Sequence, residues 1–395
     1  MDSTLDISEL TGWGVYEIAR RQDPYPIWDR MRAATPVLDV GENVFAVTSW
    51  ELADKVLRDP SLLAGNGVAE SMNKPVGEKL DPAAIWLMSL DGPNHLRARS
   101  LVRRPFSARQ VESLRSLVGD QVKRLVESFL RKAKEQPTDF VSHVALALPS
   151  EVIRHLFHID EALWAREVHA GFLPTANSTS SEQISALADF FQDVETDQGL
   201  FHDLQEADAD GSRLSHDEMI ANAVLLTMAA VDTTAGLISN SLLCLLGHGE
   251  ILKQIIQAPS LIPEVVEETL RFQSPALSCS RFSPSAFQLG GVEIPAGSHI
   301  LVCLGAANRD PDKYEDPNSF RLGRDYSGMI TFGGGRHFCL GASLARMEAR
   351  TVLEALLEVA PTLHLADAME WRTDNPTVRI PRTLNISLRA EGNSR

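Results

Sequence analysis

Cysteine is scarce in this chain: Cys244, Cys279, Cys303 and Cys339 are all that its 395 residues contain. So few and so scattered, they cannot form a disulfide framework, and no pair has the C-x-x-C spacing of a structural zinc site. Positive charge is short as well. Lys plus Arg number 37 against 53 Asp plus Glu, a formal net charge of −16, and a field of that sign repels phosphate backbones, which argues against nucleic acid as a partner. No apolar run approaches the roughly 20 residues of a membrane span; the longest lies around Ala223 to Val231. The stretch Met1 to Asp6 is acidic and lacks the basic start and apolar run of a secretory signal. The expectation is a cytoplasmic protein that binds neither membrane nor nucleic acid. Internal repeats, low-complexity tracts and Ser/Gly-rich linkers are missing too, so nothing divides the chain. The polar segment Thr175 to Ser181 is the best mobile-loop candidate.

What is present is an ordinary globular balance, 44% hydrophobic and 23% charged residues, enough for a sizeable core and too apolar for wholesale disorder. Apolar residues recur at three and four over Pro26 to Ala34, Ala108 to Gln136, Glu182 to Asp197, Ser215 to Gly247 and Ala342 to Val359, the spacing of amphipathic helices. Val37 to Val47 and Phe287 to Val302 are β-branched or alternating with glycine-containing breaks, and read as hairpins of a smaller sheet. The fold class is mainly α with a minor β part.

Chemistry concentrates first in Phe332-Gly333-Gly334-Gly335-Arg336-His337-Phe338-Cys339-Leu340-Gly341. Its glycines permit a tight turn whose free amides can point at a sulfur. The helix expected from Ala342 would lower the thiol pKa further through its N-terminal dipole. A phosphate loop is the competing reading, but neither the Lys-Ser/Thr pair of a Walker motif nor G-x-G-x-x-G is there. The other cysteines default to small buried hydrophobes; Cys244 and Cys303 sit in apolar contexts, and Cys279, between serines, is less clear.

Three further segments stand out. Glu268 and Arg271 share a helix face, where a solvated pair is the ordinary reading. Ser215 and Glu218 have capping-box spacing at the head of a helix that carries Asp232, Thr233 and Thr234 in an apolar run. Those residues are poor helix formers, and a buried Asp carries a desolvation cost; a back-bonded Thr and a solvated Asp form the bland alternative. His95 and Arg99, one turn apart after Asp91-Gly92-Pro93, can hold two anionic oxygens on one face, although such a pair is usually on the surface.

The cysteine segment resembles the ligand loop of the cytochrome P450 family, F-G-x-G-x-H-x-C-x-G followed by x-x-L-A-R, at every defined position. The remaining segments match in family order, from the Asp91 region through Arg379. The resemblance implies a single P450 domain over residues 1–395, triangular and helix-rich, that binds haem b (iron protoporphyrin IX) with Cys339 as iron ligand. It also implies His337 facing a propionate, Phe332 near the ring, and His95, Arg99 and Arg281 as propionate donors. Glu268 and Arg271 become a buried structural pair completed by Arg324. Asp232 and Thr233 become the acid and alcohol that relay protons, with Ala230 where the family most often has Gly, a methyl that narrows the groove beside them.

By family position the substrate pocket is lined by Ile85, Trp86, Leu225, Met228, Ala229, Leu277, Cys279 and Val378, each of which could equally be core. That lining suits a hydrophobic small molecule, with a secondary metabolite as the leading guess, free or tethered to a carrier protein. Ferredoxin and ferredoxin reductase are the implied electron donors. Arg97, Arg103, Arg104, Arg336 and Arg346 would form the docking patch, against the plain reading of a solvated basic face. A peroxide-driven peroxygenase and a non-catalytic haem-binding protein are the alternatives; both sit poorly with the Asp232-Thr233 pair.

Overall fold

A computed structural model describes residues 12–64, 85–169, 181–194, 196–206, 213–357, 359 and 362–388. The helices that frame the site are α1 (Tyr25–Ala34), α2 (Trp50–Arg58), α3 (Gly92–Val102), α4 (Ala108–Ser113), α5 (Arg115–Glu135), α6 (Ala147–Phe157), α7 (Ser181–Gln192), α8 (His216–Gly247), α9 (Ile262–Phe272) and α10 (Ala342–Leu356). The helix expected over 108–136 is broken at Leu114, whose amide bonds back to Val111 and Glu112 carbonyls and so separates α4 from α5. Thr175 to Ser180 of the polar segment lie outside the described residues, and Ser181 opens α7.

The axis of the fold is α8. Ser215 caps it as its spacing predicts, its hydroxyl accepting from the Glu218 amide at 3.2 Å while the Glu218 carboxylate accepts from the Ser215 amide at 2.8 Å. Downstream the helix is apolar all round, which suits a core helix rather than a surface one, and it packs against α6, α7, α9 and α10. By length and composition it could cross a membrane, but 72% of its most apolar window is buried inside the protein.

The sheet part is small. A four-stranded sheet has the order β1 (Val37–Asp39), β2 (Val44–Val47), β7 (Ser298–Val302), β4 (Cys279–Ser283). The hairpin expected over 37–47 is β1 with β2, Val37 opposite Val47. The segment 287–302 divides: β5 (Phe287–Leu289) and β6 (Val292–Ile294) make a hairpin of their own. Strand β7 instead joins the larger sheet, parallel to β2 and antiparallel to β4. A third sheet orders β3 (Thr138–Asp139), β9 (Asn385–Leu388) and β8 (Leu363–Leu365).

Glu268 and Arg271 of α9 are both fully buried, the guanidinium bound through Nε and Nη2 to the two carboxylate oxygens at 2.8 Å each. Arg324 Nε adds a third bond at 3.1 Å and the Arg321 amide a fourth at 2.9 Å. Arg271 also donates to the carbonyls of Asn308, Pro317 and Ser319. The buried pair and its completion by Arg324 are as the resemblance implied, and they fix the irregular chain leading into the cysteine loop.

Candidate active site

The cysteine loop lies against the end of α2. Gly333 and Gly335 take φ of +70° and +62°. A Cβ at Gly335 would sit 2.7 Å from the Leu57 carbonyl oxygen, so only glycine fits there. The Cys339 amide closes the loop onto the Phe332 carbonyl at 3.0 Å. At the head of α10, the amides of Gly341 and Ala342 point at the Cys339 sulfur. Cys339 keeps accessible surface although protein surrounds it on most sides. That enclosure pushes the thiol above its ordinary pKa, while the Gly341 amide, Arg99, Arg346 and the Ala342 amide pull it down. These groups favour the anion without fully securing it, and a metal cation at the sulfur would secure the rest.

Around the loop stands a group of cations and donors. His95 is fully buried, its ring 4.2 Å from that of His337, and neither of its nitrogens has a hydrogen-bond partner among the described residues. Burial pushes His95 down to about 4, helped by the neighbouring charges of His337, Arg99 and Arg336. Arg99 donates to the Phe338 carbonyl at 2.6 Å, next to Cys339. Arg281 is buried and its charge reaches His337. Among the described residues one carboxylate, Asp91, answers this set, 3.4 Å from His337 and 3.3 Å from Arg336. An excess of buried and half-buried donors over carboxylates among the described residues, beside a sulfur held by amides, fits a ligand carrying both a cationic metal and carboxylates, which haem b is. The sequence candidates His95, Arg99, Arg281, His337 and Cys339 are thus brought together. Phe332 is at the rim, under the Arg346 guanidinium at 4.5 Å. Asp91 was noted in the sequence only as the start of a helix, and its acceptor role emerges here.

In mid-α8, Ala229 is exposed between the half-buried Met228 and Ala230, and Thr233, one turn on, is half-buried, so Ala229 and Thr233 line one open face. The Thr233 hydroxyl donates to the Ala229 carbonyl at 2.8 Å. Asp232 is 5% exposed and bound by both oxygens to Arg372, Nη1 to Oδ1 at 3.1 Å and Nη2 directly to Oδ2. The two expected relay residues therefore hold different partners and no bond joins them. Nothing in the sequence pointed to Arg372.

The pocket candidates separate. Ile85, Trp86, Met228 and Cys279 are half-buried and Ala229 exposed. Leu225, Leu277 and Val378 are buried, Leu277 in the cluster around Trp28 and Met31, and Val378 in a β-bridge to Ala276. Asn222, absent from the candidates, accepts from the Leu87 amide at 3.0 Å and so ties the Trp86 loop to α8. The proposed docking arginines separate too: Arg97 pairs with Glu218, Arg336 with Asp91, and Arg346 with Glu267 at 2.7 Å. Arg103 and Arg104 are exposed, and among the described residues no carboxylate is paired with either.

Comparison with known proteins agrees with this geometry. The cytochrome P450 family model matches residues 165–359. Cytochrome P450 107B1 of Saccharopolyspora erythraea is 34% identical over 385 residues, covering 90% of this chain and 93% of that protein. Cytochrome P450 monooxygenase PikC of Streptomyces venezuelae is also 34% identical, over 93% of this chain and 91% of its own. Among solved structures, P450BioI in complex with a hexadec-9Z-enoic acid ligated acyl carrier protein aligns with a TM-score of 0.81 at 28% identity, over 94% of this chain and all (100%) of that one. Myxobacterial CYP267B1 in complex with myristic acid gives 0.82 at 28% identity, over 95% and 99%. With a glycine-shaped cysteine loop, a cationic cradle and these relatives in agreement, the chain belongs to the cytochrome P450 monooxygenases, the family that binds haem b through a cysteine thiolate.

Proposed function

We propose that this chain is a cytoplasmic haem-thiolate monooxygenase that takes electrons from a ferredoxin and its reductase and oxidises a hydrophobic small molecule of secondary metabolism. The observation that carries the reading is the Cys339 sulfur on the amides of Gly341 and Ala342, beside the buried His95 and Arg281 and the half-buried Arg99 and His337. Haem bound there supplies dioxygen activation, favoured by the electron donation of a thiolate ligand. The side chains do the rest. Arg99, Arg281, His95 and His337 hold carboxylates, and Phe332 packs at the rim. Ala229 and Met228 present the apolar face of α8 to the substrate, with Ile85, Trp86 and Cys279 around it. The Thr233 hydroxyl and Asp232 carboxyl handle protons, which requires a donor within hydrogen-bond reach, directly or through one water.

The apolar lining supports an apolar ligand, as do the relatives whose structures contain myristic acid or a carrier-linked hexadecenoic acid. A spectral titration of the purified holoprotein tests this with three probes: free myristic acid, hexadecenoyl acyl carrier protein and a macrolactone. The expected result is a Soret shift to shorter wavelength with at least one of them, and the carrier-linked probe reports whether tethering improves binding. A protein that ignores all three and responds to small polar compounds would contradict the apolar-substrate reading.

A further inference from the structure

Two asparagines, Asn222 and Asn240, are wholly buried in the apolar helix α8, where an amide side chain costs free energy unless it is hydrogen-bonded. Each is spent on backbone from another part of the chain. Asn222 accepts from the Leu87 amide at 3.0 Å. Its own Nδ2 donates back to the Glu218 carbonyl at 2.7 Å, which turns the oxygen towards Leu87. Asn240 donates through Nδ2 to two carbonyls at 3.0 Å each, those of Gln273 and Arg379.

These two carbonyls belong to segments that also hold each other. The Leu277 amide donates to the Thr377 carbonyl and the Arg379 amide to the Pro275 carbonyl, both at 2.8 Å, around the bridge of Ala276 with Val378. The resulting double lip lies directly on α8. A Cβ at Gly236, one turn before Asn240, would meet the Arg379 carbonyl oxygen at 3.0 Å and the Pro275 Cβ at 3.1 Å. Glycine permits the close approach, and Asn240 fastens it.

Asn222, Ala229, Thr233, Gly236 and Asn240 follow one another at intervals of seven, four, three and four, and so form one stripe of the helix. The Trp86 loop closes that stripe at Asn222, Ala229 and Thr233 leave it open, and the lip closes it again from Gly236 onward. At about 1.5 Å per residue the two fastenings stand about 27 Å apart along the axis.

We propose that Asn222 and Asn240 are positioning residues for substrate selection, fixing the walls at the two ends of the open face of α8 and so setting the length of ligand that the site accepts. The proposal rests on the reading of this face as the side that meets an apolar substrate. Each asparagine acts through the backbone it holds, not by touching the ligand. A ligand longer than the open stretch must push a wall off the helix and break its hydrogen bonds, which lowers its affinity relative to one that fits.

The test is a Soret titration of the full-length holoprotein with decanoic, myristic and stearic acids, for wild type, Asn222→Leu, Asn240→Leu and the double variant. The wild type is expected to bind myristic acid more tightly than stearic acid. Each single variant should raise the ratio of stearic to myristic affinity roughly three- to tenfold, the scale of one or two hydrogen bonds. In the double variant the two effects should multiply, since the sites are too far apart to couple directly. Hydrogen exchange of the unliganded holoprotein reads the fastenings themselves. Asn240→Leu should speed exchange over residues 273–281 and 375–381 and spare 85–90, Asn222→Leu should do the reverse, and the cysteine loop should keep its protection in both. If Asn240→Leu fails to fold, Gly236→Ala carries that end, because its methyl presses the lip off α8 while both hydrogen-bond donors stay in place.

An equal loss of affinity for all three acids, or a wild type that does not distinguish myristic from stearic acid, overturns the proposal and leaves the apolar-substrate reading standing. A holoprotein that binds none of the acids also overturns the proposal, and one that ignores the macrolactone as well overturns the apolar-substrate reading with it.

Discussion

Arg271 meets Glu268 through two parallel hydrogen bonds of 2.8 Å, with neither side chain reached by solvent. Because Arg324 and the Arg321 amide share the same carboxylate, losing it leaves two guanidiniums and an amide uncompensated. Glu268→Ala should therefore destabilise the protein by about 3–5 kcal/mol. Denaturant unfolding with matched haem loading measures this, and a loss near that of an exposed pair would show that the network is not cooperative.

Thr233→Ala removes the hydroxyl on the open face of α8 while sparing the cysteine loop. Haem content and ligand-induced spectral shifts should be unchanged, and product formed per electron pair should fall on the order of 10²-fold, the usual scale for a lost proton donor. Parallel measurement of NADPH consumption, product and peroxide checks it. Unaltered coupling would mean that another group or the substrate itself manages the protons.

Glu348, on α10, is 2% exposed, and its Oε2 has no hydrogen-bond partner among the described residues. Burial alone pushes the carboxyl up from the ordinary 4.5 to about 8. Between those values the unfolded chain has released this proton and the folded chain keeps it, so stability falls as pH rises, by up to about 1.4 kcal/mol per pH unit. The contribution is fully present below the lower value and gone above the upper one. Glu348→Gln should flatten the slope of unfolding free energy across that window, and an unchanged slope would place the titration elsewhere.

Arg103 and Arg104 are the docking arginines that structure leaves exposed without a carboxylate partner among the described residues. Reversing both to Glu should slow reduction by an acidic ferredoxin at low ionic strength, with the difference shrinking as salt is added. Stopped-flow reduction at several salt concentrations measures it, and rates equal to wild type would remove this patch from electron transfer.

The parts legible in the sequence are those encoded locally. The run from Phe332 to Gly341 carries its own turn geometry, cysteine and helix start, and Ser215 with Glu218 marks the head of α8 to the residue. Periodicity also found helix in the five segments named from it and both hairpins, but not α2 or α6. It could not see that Leu114 interrupts one helix, or that β7 leaves the hairpin beside it to pair with β2 and β4. Long-range polar choices were invisible for the same reason. The pairing of Asp232 with Arg372 joins residues 140 apart, and Arg97, Arg336 and Arg346 read as a basic patch until their carboxylates are placed beside them. Apolar residues such as Leu277 read the same whether they line a pocket or fill a core.

A Cys339 thiolate on haem iron has a spectral signature of its own. It is read from the absorption of the dithionite-reduced protein under carbon monoxide, recorded for wild type and Cys339→Ser. The wild type should show a Soret band at the long wavelength of thiolate ligation, and the variant should lose it. A histidine-like band in folded wild-type protein, or a variant with an unchanged spectrum, would contradict it.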